Sequence, residues 1–311
     1  MIKLYKTNLA DKKLHQIDEI TPGCWIDLVS PTEEEIDQVV NTTEIDRDLI
    51  IKMRDENELP RVETSGNATL VVVDTPFVTD EHEYVTYPLG IIVADTNYVI
   101  TISPRRTTIL NSFRRNLISD FRTAKKTRFL IQILALTSAD YLKVLGEVYR
   151  DINQKEETLE KSTKNEDLID LLATEKTLVY FTTSLKENDL VLERLSKGGV
   201  LPLYEGDLDL IEDAIIENKQ AIDMAKIYRD ILSSITNTYA TVISNNLNYA
   251  MKFLAGITIV LSIPTIISSF LGMNVPFGII GDSPFSAWIL FFSSIILSLG
   301  VVVLLKKKGL L

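Results

Sequence analysis

Cysteine is all but absent from this sequence: Cys24 stands alone among 311 residues. One thiol makes no internal disulfide and suits a reducing compartment. Histidine is nearly as scarce. His15 and His82 are the two, each in a polar stretch with no paired nucleophile, which removes the commonest general base and the softer metal ligands. No G-x-x-x-x-G-K-[ST] phosphate loop occurs, and Gly66 and Gly90 are isolated, so neither an ATP site nor any other organic cofactor is expected. Positive charge is also short, with 32 Lys and Arg against 43 Asp and Glu, a formal charge of −11 and a pI near 4.8. Nucleic acid calls for clustered cations and is excluded as a partner on that ground. An acidic surface suits cations instead. The carboxylates fall on charged helical stretches where solvation explains them, so an enzyme is not expected. Met1 to Ala10 has no apolar core, and Met1 to Tyr5 reads as a first strand rather than a leader.

Charge of either sign nearly vanishes in one place. From Phe253 to Leu305 the single charged residue is Asp282. A short polar knot, Phe270-Leu271-Gly272-Met273-Asn274-Val275-Pro276-Phe277, divides that stretch. On either side lie about 20 apolar residues, enough at 1.5 Å rise to cross a hydrocarbon core of about 30 Å. Both runs are predicted to span a membrane. Lys252 stands at the entry to the first and Lys306-Lys307-Lys308 at the exit of the second, while the loop between has no Lys or Arg. That asymmetry puts both termini in the cytoplasm and the loop outside a cell membrane crossed twice. Trp288, Phe291 and Phe292 near the outer end of the second span fit an interfacial belt.

The chain is expected to be an α+β membrane protein. Residues 1–125 read as an α/β domain with strands at Ile2 to Lys6, Cys24 to Val29, Ala68 to Val73, Leu89 to Val93 and Tyr98 to Ile102. Ser30-Pro31-Thr32-Glu33 predicts a helix start with Ser30 as N-cap and Glu33 closing a capping box. Further helices are expected over Arg47 to Met53 and Thr107 to Leu117. Residues 126–203 carry apolar residues at helical spacing, broken near Ser162 to Asn165, and predict a charged antiparallel hairpin. After Asp207 neither Gly nor Pro occurs until Gly256, so one helix is expected to run through 204–250 into a first span at 251–272. An external loop at 273–284, a second span at 285–305 and a basic tail at 306–311 complete the chain.

Two stripes mark the long helix. Leu208, Ile211, Ile215, Ile222, Ala225 and Leu232, interrupted by Asn218 and Arg229, form an apolar seam that packs helices side by side, within the chain or between copies. Steps of four and three then give Asn237, Thr241, Ser244, Asn248, Met251, Ala255, Thr258, Ser262, Thr265 and Ser269, a mostly hydroxyl and amide line on one face. Small polar residues let membrane helices pack closely. Against packing alone, the line holds one face for about nine turns and is already polar before the membrane begins, and a water-filled pathway explains both. Two spans cannot enclose a pore, so a channel requires several copies around an axis. In such a pathway Thr258 and Ser262 contact a hydrated ion, Asn248, Ser244 and Asn237 line the cytoplasmic neck, and Met251 with Leu254 makes an apolar constriction that excludes water when closed.

Gly272-Met273-Asn274, closing the first of two C-terminal spans after a very long helix, with a Lys cluster ending the chain, resembles the signature of the CorA family of magnesium and cobalt transport proteins. The likeness covers the whole architecture, though the specific motif lies in the last third. It implies a funnel-shaped homopentamer with the first span around the pore and the second facing lipid, so that the partners are further copies of the chain, the bilayer and divalent ions. It further implies Mg²⁺ both as cargo and as regulator, with Co²⁺ or Ni²⁺ as further cargo. Gly272 and Met273 then shape the loop that presents Asn274 as the outer selectivity ring. Mg²⁺ gives up water reluctantly, and a ring of neutral amide oxygens holds its hydration shell without trapping it. Divalent ions between neighbouring cytoplasmic domains close the pore in the family, and Asp213 falls where the family places an acidic ligand, with Glu212 and Glu217 nearby. The expected partner position reads Ile51-Lys52 here, with Asp55, Glu56 and Glu58 close by, and a solvated acidic face explains these equally.

Two departures bear on affinity. The family's acidic segment after Gly-Met-Asn is reduced to Asp282, and Asn237 stands where some members carry an Asp ring. A sister Gly-x-Asn group moves zinc, but His15, His82 and Cys24 all lie far from the predicted pore. The other alternative is a membrane-anchored coiled-coil scaffold, which would tolerate substitution of Asn274.

Overall fold

The computed structural model describes residues 1–8, 10–79, 83–161, 165–273 and 285–309. The chain divides into two compact units, Met1–Ile235 and Thr236–Leu311.

The first unit is built on a seven-stranded sheet. Its strands are β1 (Ile2–Thr7), β2 (Leu14–Ile17), β3 (Trp25–Val29), β4 (Arg61–Ser65), β5 (Ala68–Val78), β6 (Tyr84–Ala94) and β7 (Tyr98–Ser103), in spatial order β2-β1-β3-β7-β6-β5-β4. All pairings are antiparallel except β3 with β7. Side chains alternate across a pleated strand, and this sheet buries both faces. Leu70, Val72, Ile92, Ile100 and Ile102 point to one side, against Ile36 and Val39 of α1 (Glu33–Thr43) and Leu49 and Ile50 of α2 (Arg47–Ile51). Val71, Val73, Leu89, Ile91 and Val99 point to the other. There they meet α3 (Thr108–Arg114), α4 (Lys126–Lys161) and α5 (Asn165–Ser196) through Phe113, Phe129 and Leu192.

The five predicted strands are all present. β2 and β4 were not expected, being four and five residues long and rich in polar residues, His15 and Gln16 in one and Arg61, Glu63, Thr64 and Ser65 in the other. β5 runs on through Pro76 and β6 begins before Pro88, longer than predicted at these ends. The N-cap of α1 is Thr32, not Ser30, and Glu35 closes the box in place of Glu33. The reason is competition for carboxylates: Glu33 is taken by Arg47 at 2.5 Å and by Arg54, while Glu35 also accepts from the chain amine at 2.6 Å and from the Ile2 amide. Ser30 sits instead at φ +44. Helix α2 stops at Ile51, and a single 3-10 turn, Lys52–Arg54, drops Met53 onto Gly90, where an added Cβ would stand 2.7 Å from Met53 Cγ.

A polar network crosses the sheet interior. Trp25 Nε1 donates to Thr101 Oγ1 at 2.8 Å, Thr101 Oγ1 donates to Asp27 Oδ1 at 3.0 Å, and Arg114 pairs with Asp27 Oδ2. Asp27 is 1% exposed. Burial pushes its carboxyl above the ordinary aspartate value, against the opposing pull of Arg114.

The long helix α6 covers Asp207–Leu271 without interruption, 65 residues. Its apolar seam is an intrachain one: Ile211, Ala225 and Leu232 are fully buried. Asn218, read from sequence as a polar interruption, is buried too and donates through Nδ2 to the Leu185 carbonyl of α5 at 2.9 Å. Leu208 lies outside the seam and is exposed. Tyr228 of α6 stacks on Tyr149 of α4 with ring centroids 4.7 Å apart.

The second unit holds the rest of α6 and α7 (Ser286–Lys307). Three described helices, α4, α6 and α7, are long and apolar enough to cross a membrane. Most of the apolar stretch of α4 is buried in the first unit, whereas those of α6 and α7 are almost wholly exposed in the monomer. An apolar surface without cover belongs in lipid or against further copies. Trp288, Phe291 and Phe292 pack on one another at the start of α7.

Candidate ion pathway

The stripe from Asn237 through Ser269 lies on α6, at the three-four spacing that keeps side chains on one helix face. Asn237, Thr241, Ser244, Asn248, Met251, Leu254, Thr258 and Thr265 are exposed in the monomer and Ser262 is half-buried. Four of the stripe's six hydroxyls share one arrangement. Thr241 donates to the Asn237 carbonyl at 2.9 Å, Thr258 to Leu254 at 2.8 Å, Ser262 to Thr258 at 2.7 Å and Thr265 to Leu261 at 3.0 Å. Each hydroxyl proton is spent on the helix backbone, so the oxygen faces outward as an acceptor. A hydrated cation turns water hydrogens outward, and acceptor oxygens are what it needs to meet.

Pro264 adds a further acceptor. It has no N–H to give to the residue four positions earlier, so the Val260 carbonyl loses its helical donor. Close by, Thr258, Leu261, Ser262, Thr265, Ile266 and Ser269 line an open groove of about 480 Å³.

The helix ends at the motif. Gly272 N–H donates to the Ser268 carbonyl at 3.0 Å, and Met273 N–H to Phe270 at 3.3 Å. Gly272 does not adopt the left-handed conformation that often ends a helix. A Cβ there would make ordinary contact with the Ser268 carbonyl oxygen, at 3.4 Å, so within one chain neither backbone conformation nor space demands the glycine. Met273 is exposed. Asn274 lies outside the described residues.

The acidic residues of α6 are placed differently. Asp213 and Glu212 are exposed, and Glu217, one turn after Asp213, is half-buried. Burial, and then the charge of Asp213, push the Glu217 carboxyl up. Asp55 accepts from the Asn57 amide at 2.9 Å, and Glu56 stands 4.0 Å from Arg105 Nε. Glu56 lines a small cavity with Asp74 and Glu187 of α5 rather than with Asp213. Among the described residues, no group of three or more Asp, Glu, His or Cys is placed to hold a metal ion. One chain alone therefore does not assemble Asp213 and the 55–58 segment into a site. The candidate soft ligands are also apart and engaged: His15 pairs with Asp11 at 2.7 Å, Cys24 is buried with its thiol pushed up by burial, and His82 lies outside the described residues.

The profile of the family described as CorA-like Mg²⁺ transporter protein matches residues 22–307. The chain belongs to that family. Its members are ion transporters and not enzymes, and this chain is a divalent-cation transporter of the membrane. It is 26% identical, over 97% of its length and 96% of the relative's, to the cobalt/magnesium transport protein CorA of Methanocaldococcus jannaschii. The complete structure of the CorA magnesium transporter from that organism superposes with a TM-score of 0.87 at 23% identity, covering 100% of this chain and 99% of the other. The cytoplasmic domain of ZntB from Vibrio parahaemolyticus gives a TM-score of 0.56 at 10% identity, over 79% of this chain and 97% of the other. That last likeness is one of fold alone.

Sequence reasoning missed the Asp27–Arg114 pair and the contact of Asp74 with α5. Asp27 was legible as a lone carboxylate in an apolar strand. Its partner, 87 residues on, was not.

Proposed function

We propose that the protein is a homopentameric channel for passive Mg²⁺ uptake, driven by the membrane potential and closed by intracellular Mg²⁺. The observation that carries this reading is the row of backbone-spent hydroxyls on α6, which leads to Gly272-Met273-Asn274 in a chain that matches a Mg²⁺ transporter family along nearly its whole length. Both termini are cytoplasmic in this reading. α6 from about residue 251 lines the pore, α7 faces lipid, and Asn274 forms the outer ring that holds the hydrated ion. Gly272 and Met273 set the loop that carries it. Thr258, Ser262 and Thr265 pass the ion inward, Met251 and Leu254 close on it, and Asn248, Ser244, Thr241 and Asn237 line the exit.

A divalent ion moving inward gains about 4.6 kcal/mol per 100 mV. Mg²⁺ uptake into proteoliposomes should therefore rise steeply with an inside-negative potential, need no nucleotide, and accept Co²⁺ or Ni²⁺. Zn²⁺ flux well above Mg²⁺ flux would reassign the cargo, and flux indifferent to potential would overturn the passive mechanism.

Closure by internal Mg²⁺ requires that the ion bind the closed state better than the open one. Asp213, with Glu212 and Glu217 beside it, is one half of such a site, and Asp55 and Glu56 of a neighbouring protomer are candidates for the other. Asp213→Ala should raise the internal Mg²⁺ needed for half-closure about tenfold, in the range of ordinary coupling energies. Patch-clamp titration of the inner face measures this, and an unchanged half-closure concentration would remove Asp213 from the gate.

A further inference from the structure

Asp74 occupies an unusual place for a carboxylate. It sits in the middle of β5, paired across the sheet with Pro88 of β6, where α5 crosses the strand. Asn188 of α5 clamps its main chain from both sides: the Asp74 amide donates to Asn188 Oδ1 at 2.9 Å, and Asn188 Nδ2 donates to the Asp74 carbonyl at 2.8 Å. One turn earlier on α5, Ser184 Oγ donates to Asp74 Oδ2 and lies 3.4 Å from Thr86 Oγ1 of β6. Three of the hydrogen bonds that join helix to sheet therefore converge on one aspartate, while Thr177 of α5 adds another to the Tyr84 carbonyl of β6 at 3.2 Å.

The surroundings do not match its charge. From α4, the fully buried hydroxyl of Tyr141 comes close to Ser184 and Asp74 without a well-formed hydrogen bond to either, with Asp140 acting on it from the same helix. From α5, Glu187 adds a second negative charge, and Tyr180 borders the same cavity. From the segment before β4 come Glu56 and Glu58. The cations of this region are engaged elsewhere: Arg61 holds Glu58, and Arg105 lies 4.0 Å from Glu56 and over the ring of Tyr87 of β6. Among the described residues no Lys or Arg pairs with Asp74 or Glu187. The cavity of about 220 Å³ above the pair, lined also by Thr86, Thr183 and Ser184, gives protons a path from solvent.

We propose that Asp74 is a proton-operated latch between the sheet and α5: protonated, it completes a neutral hydrogen-bonded cluster with Ser184, Thr86 and Tyr141, and ionised, it leaves an uncompensated charge that loosens the helix. The protonated carboxyl can donate as well as accept, which answers the unused Tyr141 oxygen. Burial, reinforced by Glu187, pushes the Asp74 carboxyl up to about 6, against the pull of the Ser184 bond. The sign follows. The closed joint binds the proton more tightly than an open, hydrated one, so its stability is complete below the ordinary aspartate range and is lost as pH rises through about 6. Acidification of the compartment that holds the first unit tightens α5 onto β5.

The test is amide hydrogen exchange of the full-length protein in nanodiscs from pH 5 to 8, corrected for intrinsic chemical exchange. The opening constant of the α5 amides around Ser184 to Asn188 should rise about tenfold or more across that range, with a midpoint near 6. Asp74→Asn, which keeps the shape and removes the charge, should give a flat, protected profile. Glu187→Gln should move the midpoint of the otherwise native protein downward. A pH-independent wild type, the same transition in Asp74→Asn, or a midpoint unmoved by Glu187→Gln would each overturn the latch, and the last can be read even if Asp74→Asn does not assemble.

Discussion

Replacing Arg114 by alanine is expected to destabilise the first unit by about 3–5 kcal/mol, the usual cost of leaving one member of a buried ion pair without its partner. Asp27 is 1% exposed and Arg114 14%, so little solvent screens the pair. The substitution strands a carboxylate whose remaining partner is Thr101, itself tied to the Trp25 indole. Burial already raises the Asp27 carboxyl while Arg114 opposes it, so removing Arg114 raises it further. The loss should therefore be greatest at neutral pH and shrink as pH falls and the stranded carboxyl takes up a proton. Thermal unfolding by circular dichroism should fall by about 10 °C at pH 7.5 for a unit of this size. The double replacement Asp27→Asn with Arg114→Met removes both charges and should cost less than the sum of the two single changes. An additive double variant would mean that the pair is not coupled.

Much of the architecture was legible because long-period signals are hard to mistake. The absence of Gly and Pro from 208 to 255, followed by a stretch whose only charge is Asp282, predicts a single helix into the membrane, and α6 is one helix over Asp207–Leu271. β-branched runs marked the central strands, where both faces are buried. Short edge elements such as β2 and β4 carry no such excess of apolar residues and escaped notice. Capping failed at Ser30 for a different reason. Two overlapping boxes fitted the local sequence, and the choice fell to contacts with the chain amine, Arg47 and Arg54, which come from elsewhere in the fold.

Of the pathway, the polar face of α6 was readable from spacing alone, because a helix fixes which residues share a side. What spacing does not carry is where each hydroxyl proton goes. The i−4 bonds turn four hydroxyls into outward acceptors, which a list of residue types does not state. The apolar seam carried the opposite ambiguity: its period was plain, but burial of Asn218 against Leu185 of α5 was needed to assign it to the interior of one chain. The acidic residues were least legible. A carboxylate on a helix surface looks alike whether it meets solvent, a neighbouring protomer or a metal.

The largest functional effect is expected at Asn274. A ring of side-chain amide oxygens selects by hydrogen bonding to the first hydration shell of the ion, so each subunit contributes part of the hold. Alanine at that position removes every such acceptor at once while leaving α6, which ends at Leu271, unaltered in sequence. Two lost hydrogen bonds of about 1 kcal/mol each already lower occupancy about thirtyfold, and a ring loses more. Tolerance of the change is what a scaffold with spans as anchors would display.

The most direct measurement is Mg²⁺ uptake into proteoliposomes under an inside-negative potential, comparing wild type with Asn274→Ala at equal amounts of assembled protein. Wild-type flux with at least a tenfold loss in the variant is the predicted result. Equal flux in both, or no flux of any divalent ion in either, would contradict the pathway ending at Asn274.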